Sequence, residues 1–202
     1  MTDAKKYFSK RNAPAQQRAS DYLSGAANRQ EYLETAIKWI SKDKIIDYMG
    51  RHQHKPNANY LWRHFSAVID WVEVTFPKKR KEMKQVDWGP LYDEFKNDDL
   101  DPDQLEAEIQ ELILDNDVTS TSGVYPFVLT REERHLNIRK FTKGDIQTAY
   151  EKQKGICAIC GEHFELEDME ADHITPWHKG GKTTIENLQM LCQSDNRQKG
   201  GV

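Results

Sequence analysis

The last ~50 residues carry two half-clamps. Cys157 and Cys160 frame Ala-Ile, and Cys192 and Asp195 frame Gln-Ser. Donors at this spacing can each chelate one face of a tetrahedral ion. Zinc accepts thiolate at roughly 2.3 Å and carboxylate at about 2.0–2.2 Å, so Asp195 can stand in for a thiolate without changing the geometry class. Three thiolates and one carboxylate bind zinc less tightly than four thiolates, because a carboxylate is harder and less covalent toward this ion. In a module this small, zinc binding of about 10–16 kcal/mol can decide whether the chain folds.

Between the half-clamps lies EADHITPWHKGG, residues 170–181. On a strand, Asp172 and His173 project to opposite sides, so one can hold a metal while the other faces a substrate. A histidine near its ordinary pKa of about 6.5 can take a proton from water. Phosphodiester hydrolysis needs an activated water, an electrophile on a non-bridging oxygen and a stabiliser for the leaving alkoxide. His173 suits the first role, and a divalent ion on Asp172 suits the other two. Asn187 and Asn196 can position the base and complete the metal shell, their amide oxygens being hard donors suited to Mg²⁺ or Mn²⁺. Lys179, Lys182, Arg197 and Lys199 are placed to pair with phosphates around such a site. Glu162 to Glu170 is acidic, so DNA is expected to approach from the other side.

The order Cys-x-x-Cys (157–160), Asp-His-Ile-x-Pro (172–176) with Gly180-Gly181, Glu-Asn-Leu-Gln (186–189) and Leu-Cys-x-x-x-Asn-x-x-Lys-Gly (191–200) resembles the HNH endonucleases. The similarity covers about residues 150–200. It implies a zinc-braced ββα-metal fold acting on DNA, with His173 as general base and Asp172 and Asn196 as catalytic Mg²⁺ or Mn²⁺ ligands. It gives Asn187 the role of orienting the base through its backbone contacts, and Cys157, Cys160 and Cys192 the structural zinc. Asp195 departs from the pattern, since such proteins usually carry a fourth cysteine there. Upstream, WRHFSAVIDWVEVTFPKKRKEMKQVDWGPLYDEFKN and YPFVLTREERHLNIRKF resemble the segment before the HNH module of multidomain GmrSD-type restriction and defence proteins. Those carry a ParB-like nucleotide-handling domain ahead of it. No counterpart of that domain is read here, which leaves a fragment or a natural short protein as the two expectations.

The rest of the 202-residue chain must position this module. Its formal net charge of −4 gives no overall basic footprint, so nucleic-acid binding must rest on a local patch. Asp93 to Asp117 holds eleven acidic residues against Lys96, and Lys78 to Lys81 is a basic run; both read first as solvated faces. No apolar run long enough to span a membrane exists, and the N-terminus lacks the apolar core of a signal peptide. Three cysteines with a close pair argue for metal rather than disulfides, and the cytoplasm is the default location.

A helical period starts at Asn28 and runs through Tyr32, Leu33, Ala36, Ile37 and Ile40 to Ile45 and Ile46. A second joins Leu61, Phe65, Val68, Ile69, Val72 and Phe76 and closes at Pro77. Helices follow at Trp88 to Phe95 and after Asp101, an N-cap with Pro102 in the first turn. VYPFVL reads as extended, and GDIQTAYEKQKG as a helix stopped by Gly155. The expected layout is α+β and mostly helical: a flexible arm over 1–26, a helical region over 27–117, a connecting segment over 118–149 and the HNH module over 150–202. The expected function is metal-dependent endonuclease action on DNA in restriction or phage defence, with a homodimer or larger complex as possible assemblies. The alternative is a zinc-stabilised DNA-binding or partner-docking module that acts only within a larger complex.

Overall fold

Leu61, Phe65, Val68, Ile69 and Val72 fall at three- and four-residue steps, and all five are buried along one face of a helix, Asn59–Thr75. The computed structural model describes residues 2–25 and 30–200; the helix start expected at Asn28 and the arm boundary at residue 26 lie outside them. By chain contacts it divides into two units, Met1–Asn137 and Ile138–Val202.

The first unit contains eight helices among its described residues: α1 (Thr2–Phe8), α2 (Pro14–Ala19), α3 (Glu31–Ser41), α4 (Ile45–His52), α5 (Asn59–Thr75), α6 (Trp88–Phe95), α7 (Pro102–Leu114) and α8 (Val124–Thr130). The α5 stripe packs on α3 and α6, with Trp39 stacked on Phe65 at 5.6 Å. Phe76, Trp88 and Tyr125 form a second aromatic cluster. The buried Trp88 indole shares its N–H between the carbonyls of Tyr22 and Met83, each at 3.1 Å, so burying the ring strands no donor.

Four expectations are corrected here. Residues 1–26, expected as a loose arm, include α1 and α2, with Phe8, Ala15, Ala19 and Tyr22 buried. Their small residues allow close packing, and two aromatics anchor them. The first helical period breaks at Lys42 and Asp43, both left-handed (φ 51° and 66°). The stripe is therefore interrupted, and Ile46 is 86% exposed on α4. VYPFVL is helical as α8, burying Val124, Tyr125, Val128 and Leu129; Pro126 sits in the first turn, where no intrahelical N–H bond is lost. Finally, residues 118–149 are no separate connector: they supply α8 to the first unit and the start of α9 (Lys143–Gln153) to the second.

The two charge runs meet rather than face water separately. Arg80 forks onto Glu106 with contacts of 2.9 and 2.5 Å, and Lys78 adds a contact at 3.5 Å. Both Arg80 and Glu106 are largely buried. The Arg80 hydrogen bonds hold the Glu106 carboxyl below its ordinary value despite opposing burial. A lowered folded pKa gives stability that is present above the unfolded value of about 4.3 and is lost as pH falls through the folded one. Glu106→Gln is expected to cost roughly 1.5–3 kcal/mol at neutral pH and to flatten the loss of stability below about pH 4. Urea unfolding at both pH values measures this, and parallel pH profiles would contradict it.

In the second unit Thr142 caps α9, accepting from the Asp145 amide at 3.2 Å while Asp145 reaches back to the Thr142 amide at 2.9 Å. The helix ends in two left-handed residues, Lys154 (φ 56°) and Gly155 (φ 70°). The Cys157–Cys160 turn follows, then an antiparallel hairpin of β1 (Met169–His173) and β2 (Leu188–Cys192), then α10 (Gln193–Gly200). Its core is small: Ala149, Cys157, Met169, Leu188, Met190, Leu191 and Cys192, edged by Phe141, Ile146, Tyr150 and Phe164. This is the mostly helical α+β layout expected, with a small β-β-α end. No helix among the described residues is long and apolar enough to cross a membrane.

Candidate active site and metal centre

Strand parity decides which side chains meet. The register pairs Met169 with Cys192, Ala171 with Met190 and His173 with Leu188, and strand geometry puts these side chains on one face of the hairpin. Glu170 and Asp172, opposite Leu191 and Gln189, fall on the other face, toward α10. Asn196 and Lys199 stand three apart on α10 and so share a side of that helix.

A polar nest forms there. Gln189 donates to Asp172 Oδ2 at 2.9 Å, and the Lys199 ammonium donates to the same oxygen and to the His173 carbonyl. Asn196 Nδ2 donates to Glu170 Oε2 at 2.5 Å. A carboxylate only accepts, so this bond commits the NH₂ end of the Asn196 amide and leaves Oδ1 as its donor atom for a cation. Asp172 and Asn196 are thus both engaged in hydrogen bonds on the α10 side of the hairpin, and their oxygens are hard donors of the kind that divalent cations take. Two expectations change. Lys199 is seated on Asp172 rather than held out for a phosphate, and Glu170, counted with the repelling acidic stretch, belongs to the nest. Lys179, Lys182 and Arg197 are exposed.

His173 turns the other way. Its Nε2 lies 3.1 Å from Thr183 Oγ1, the Thr183 hydroxyl reaches the Arg139 carbonyl at 3.2 Å, and the Phe141 ring packs at 4.5 Å. Sequence reasoning missed Thr183, Phe141, Gln189 and Glu170. A threonine in a turn and an aromatic thirty-odd residues upstream carry no spacing signal. The parity of Glu170 and Gln189 with Asp172 was the one clue available.

Asn187 holds the loop that leaves β1. Its Oδ1 accepts from the Thr175 amide at 2.8 Å, and its Nδ2 donates to the carbonyls of Thr175 and Lys182 at 3.0 and 2.9 Å. Its own carbonyl accepts from the Ile174 amide at 2.8 Å. Asn187 therefore fixes the residues directly after His173 from both its backbone and its side chain. Gly181 closes the loop so tightly that an added Cβ would collide with the Thr175 carbonyl. Gly181→Ala is expected to cost roughly 1–3 kcal/mol through overpacking and to lower plasmid nicking by displacing the loop. An unchanged melting temperature with full nicking would refute the close-approach argument.

At the other end of the hairpin, ligand atoms of Cys157, Cys160, Cys192 and Asp195 lie within 4.8 Å of one another. Around a tetrahedral ion with bonds near 2.3 Å, ligand atoms stand about 3.7 Å apart, so this group fits a metal such as zinc after small adjustments. Cys157 Sγ donates to Asp195 Oδ2 at 3.1 Å, while the amides of Cys192 and Asp195 approach Cys157 Sγ and Cys192 Sγ at 3.3 and 3.5 Å. Burial opposes ionisation of the Cys157 thiol, but donation from the amides of Cys192, Ile159 and Cys160 outweighs it and lowers its pKa. At Cys160 the Glu162 amide pulls downward, yet burial, Asp195 and Cys157 push the thiol up to about 12. Hydrogen bonds from Cys157, Cys160 and Cys192 hold the Asp195 carboxyl low. A shared cation would relieve this crowding of anionic donors.

Residues 157–201 match the family model described as HNH endonuclease. The matched span contains both half-clamps, Asp172-His173, Asn187 and Asn196. It indicates a metal-dependent nuclease module acting on DNA. A search of curated proteins finds no match.

Proposed function

We propose that this chain is an HNH endonuclease that hydrolyses DNA phosphodiester bonds in restriction or phage defence. The observation that carries the reading is the division of labour at the end of β1. Consecutive residues send Asp172 into the oxygen nest under α10 and His173 to the opposite face, each held by its own hydrogen bonds. In an in-line displacement the attacking and leaving oxygens stand on opposite sides of phosphorus, so the proton acceptor and the cation ligands belong on opposite sides of the strand end. His173 accepts the proton of the attacking water. Asp172 and Asn196 would hold Mg²⁺ or Mn²⁺, which when bound supplies positive charge to a non-bridging and the leaving oxygen. Asn187 fixes the loop over the site, and Lys179, Lys182 and Arg197 pair with flanking phosphates. Cys157, Cys160, Cys192 and Asp195 would hold a structural zinc. The upstream resemblance to GmrSD-type proteins supports the defence role.

Plasmid cleavage by the full chain across Mg²⁺, Mn²⁺, Ca²⁺ and Zn²⁺, with zinc quantified on the same sample, tests the reading. Nicking or cutting with Mg²⁺ or Mn²⁺ alone is expected, and DNA binding without cleavage under every ion would refute it. A partner-docking role has one observation in its favour: Ile46, Met49 and Tyr60 are exposed on and near α4, and clustered exposed apolar side chains mark interaction sites. Light scattering of the chain alone and of complexes pulled from cells would reveal a homodimer or a larger assembly.

A further inference from the structure

The hydrogen bonds around Thr183 decide which nitrogen of His173 can act as the base. Thr183 Oγ1 lies 3.2 Å from the Arg139 carbonyl oxygen and 3.1 Å from His173 Nε2. A carbonyl has only lone pairs to offer, so the hydrogen between Thr183 and Arg139 is the hydroxyl's own. A hydroxyl carries one hydrogen. Toward His173 it therefore presents a lone pair, and Nε2 must bring the proton. A neutral imidazole has one N–H, so the lone pair sits on Nδ1. Thr183 is 9% exposed, which limits competition from water for its hydroxyl. The Phe141 ring, tilted 42° against the imidazole at 4.5 Å, opposes a ring flip that would exchange the two nitrogens.

From this we infer that Thr183 is a positioning residue that selects the Nε2–H tautomer of His173, and that Nδ1 takes the proton in catalysis. This rests on the reading of His173 as general base. In the step, a water O–H bond breaks and its proton passes to Nδ1. The water oxygen forms its bond to phosphorus, and the bond to the leaving oxygen breaks with its electron pair departing on that oxygen. Once protonated, His173 still donates from Nε2 to Thr183, so the same contact orients the imidazolium.

The test reads the tautomer without substrate. Histidine ¹⁵N resonances of the zinc-loaded full chain are recorded near pH 8, above the ordinary imidazole pKa of about 6.5, and His173 is assigned by its loss in His173→Gln. A pyrrole-type Nε2 with a pyridine-type Nδ1 is expected in the parent and in Thr183→Ser. In Thr183→Val both signals should move toward the average of the two tautomers. Cleavage by that variant should fall about twofold from the divided tautomer and further as the imidazole loses its orientation, within the roughly 10²–10⁴-fold a general base contributes, with zinc content unchanged and serine restoring the rate. A pyrrole-type Nδ1 in the parent overturns the proposal, as does an unmoved tautomer in a folded valine variant. If the valine variant fails to fold, the parent and serine spectra still decide the tautomer. The expected spectra with no cleavage under any ion would uphold the tautomer and overturn Nδ1 as base together with the nuclease reading. The reverse spectra with active cleavage would overturn this inference alone.

Discussion

Replacing His173 by alanine is expected to lower Mg²⁺- or Mn²⁺-dependent plasmid cleavage by about 10²–10⁴-fold, the range that a positioned acid–base group contributes. The change should spare the fold. Thr183 keeps its bond to the Arg139 carbonyl when the imidazole is gone, so no buried hydroxyl is left without a partner. Phe141 loses one contact at the edge of the core. The Cys–Asp group should keep its zinc, because the hairpin separates the two sites: His173 pairs with Leu188 at one end and Met169 with Cys192 at the other. Four residue steps of strand place these ends about 13 Å apart. Single-turnover cleavage, circular dichroism and zinc content on one preparation give the answer. Cleavage equal to the parent by a folded, zinc-loaded variant would end the assignment of His173 as base. Loss of zinc along with activity would turn it into a structural residue.

The site was legible where chemistry ties residue type to short spacing. Half-clamps of two donors three positions apart need no knowledge of the fold, and the structure brings all four donors within 4.8 Å. The opposed directions of Asp172 and His173 follow from strand parity alone. What stayed hidden depends on register and on distant chain. Thr183 matters because its loop folds back to His173 and to the Arg139 carbonyl, and no local pattern in KTTIEN records that. Lys199 reads as one more surface cation until helix spacing and strand parity together seat it on Asp172. In the first unit, the long stripe of α5 was readable from its apolar period and the start of α7 from the Asp101 cap. The break at Lys42 and Asp43 was not, since neither glycine nor proline marks it, and two ordinary polar residues adopt left-handed backbone. Helix α8 was missed because valine, tyrosine and phenylalanine favour strands as isolated residues, whereas burial of Val124, Tyr125, Val128 and Leu129 on one side favours the helix.

Removing zinc is expected to unfold Ile138–Val202. Two of its seven core residues are the proposed ligands Cys157 and Cys192, so the core and the metal site share atoms. A domain of this size buries too little to be stable by a wide margin. Structural zinc contributes about 10–16 kcal/mol in small finger-like modules, which equals or exceeds the whole stability of a typical domain at about 5–15 kcal/mol. Chelation, or Cys157→Ser, should therefore collapse the amide dispersion of the second unit while the first unit, with its own aromatic core, keeps its signals. The carboxylate allows a graded version of the same test. Asp195→Cys supplies a softer fourth donor and should tighten zinc on the order of tenfold, read by competition with a chromophoric chelator, and Asp195→Ala should loosen it. Cleavage by the cysteine variant should match the parent at saturating zinc, because Asp172, His173 and Asn196 are untouched. A second unit that keeps its dispersed spectrum after complete chelation, or zinc affinity indifferent to residue 195, would mean that the Cys–Asp group is not the brace of this fold.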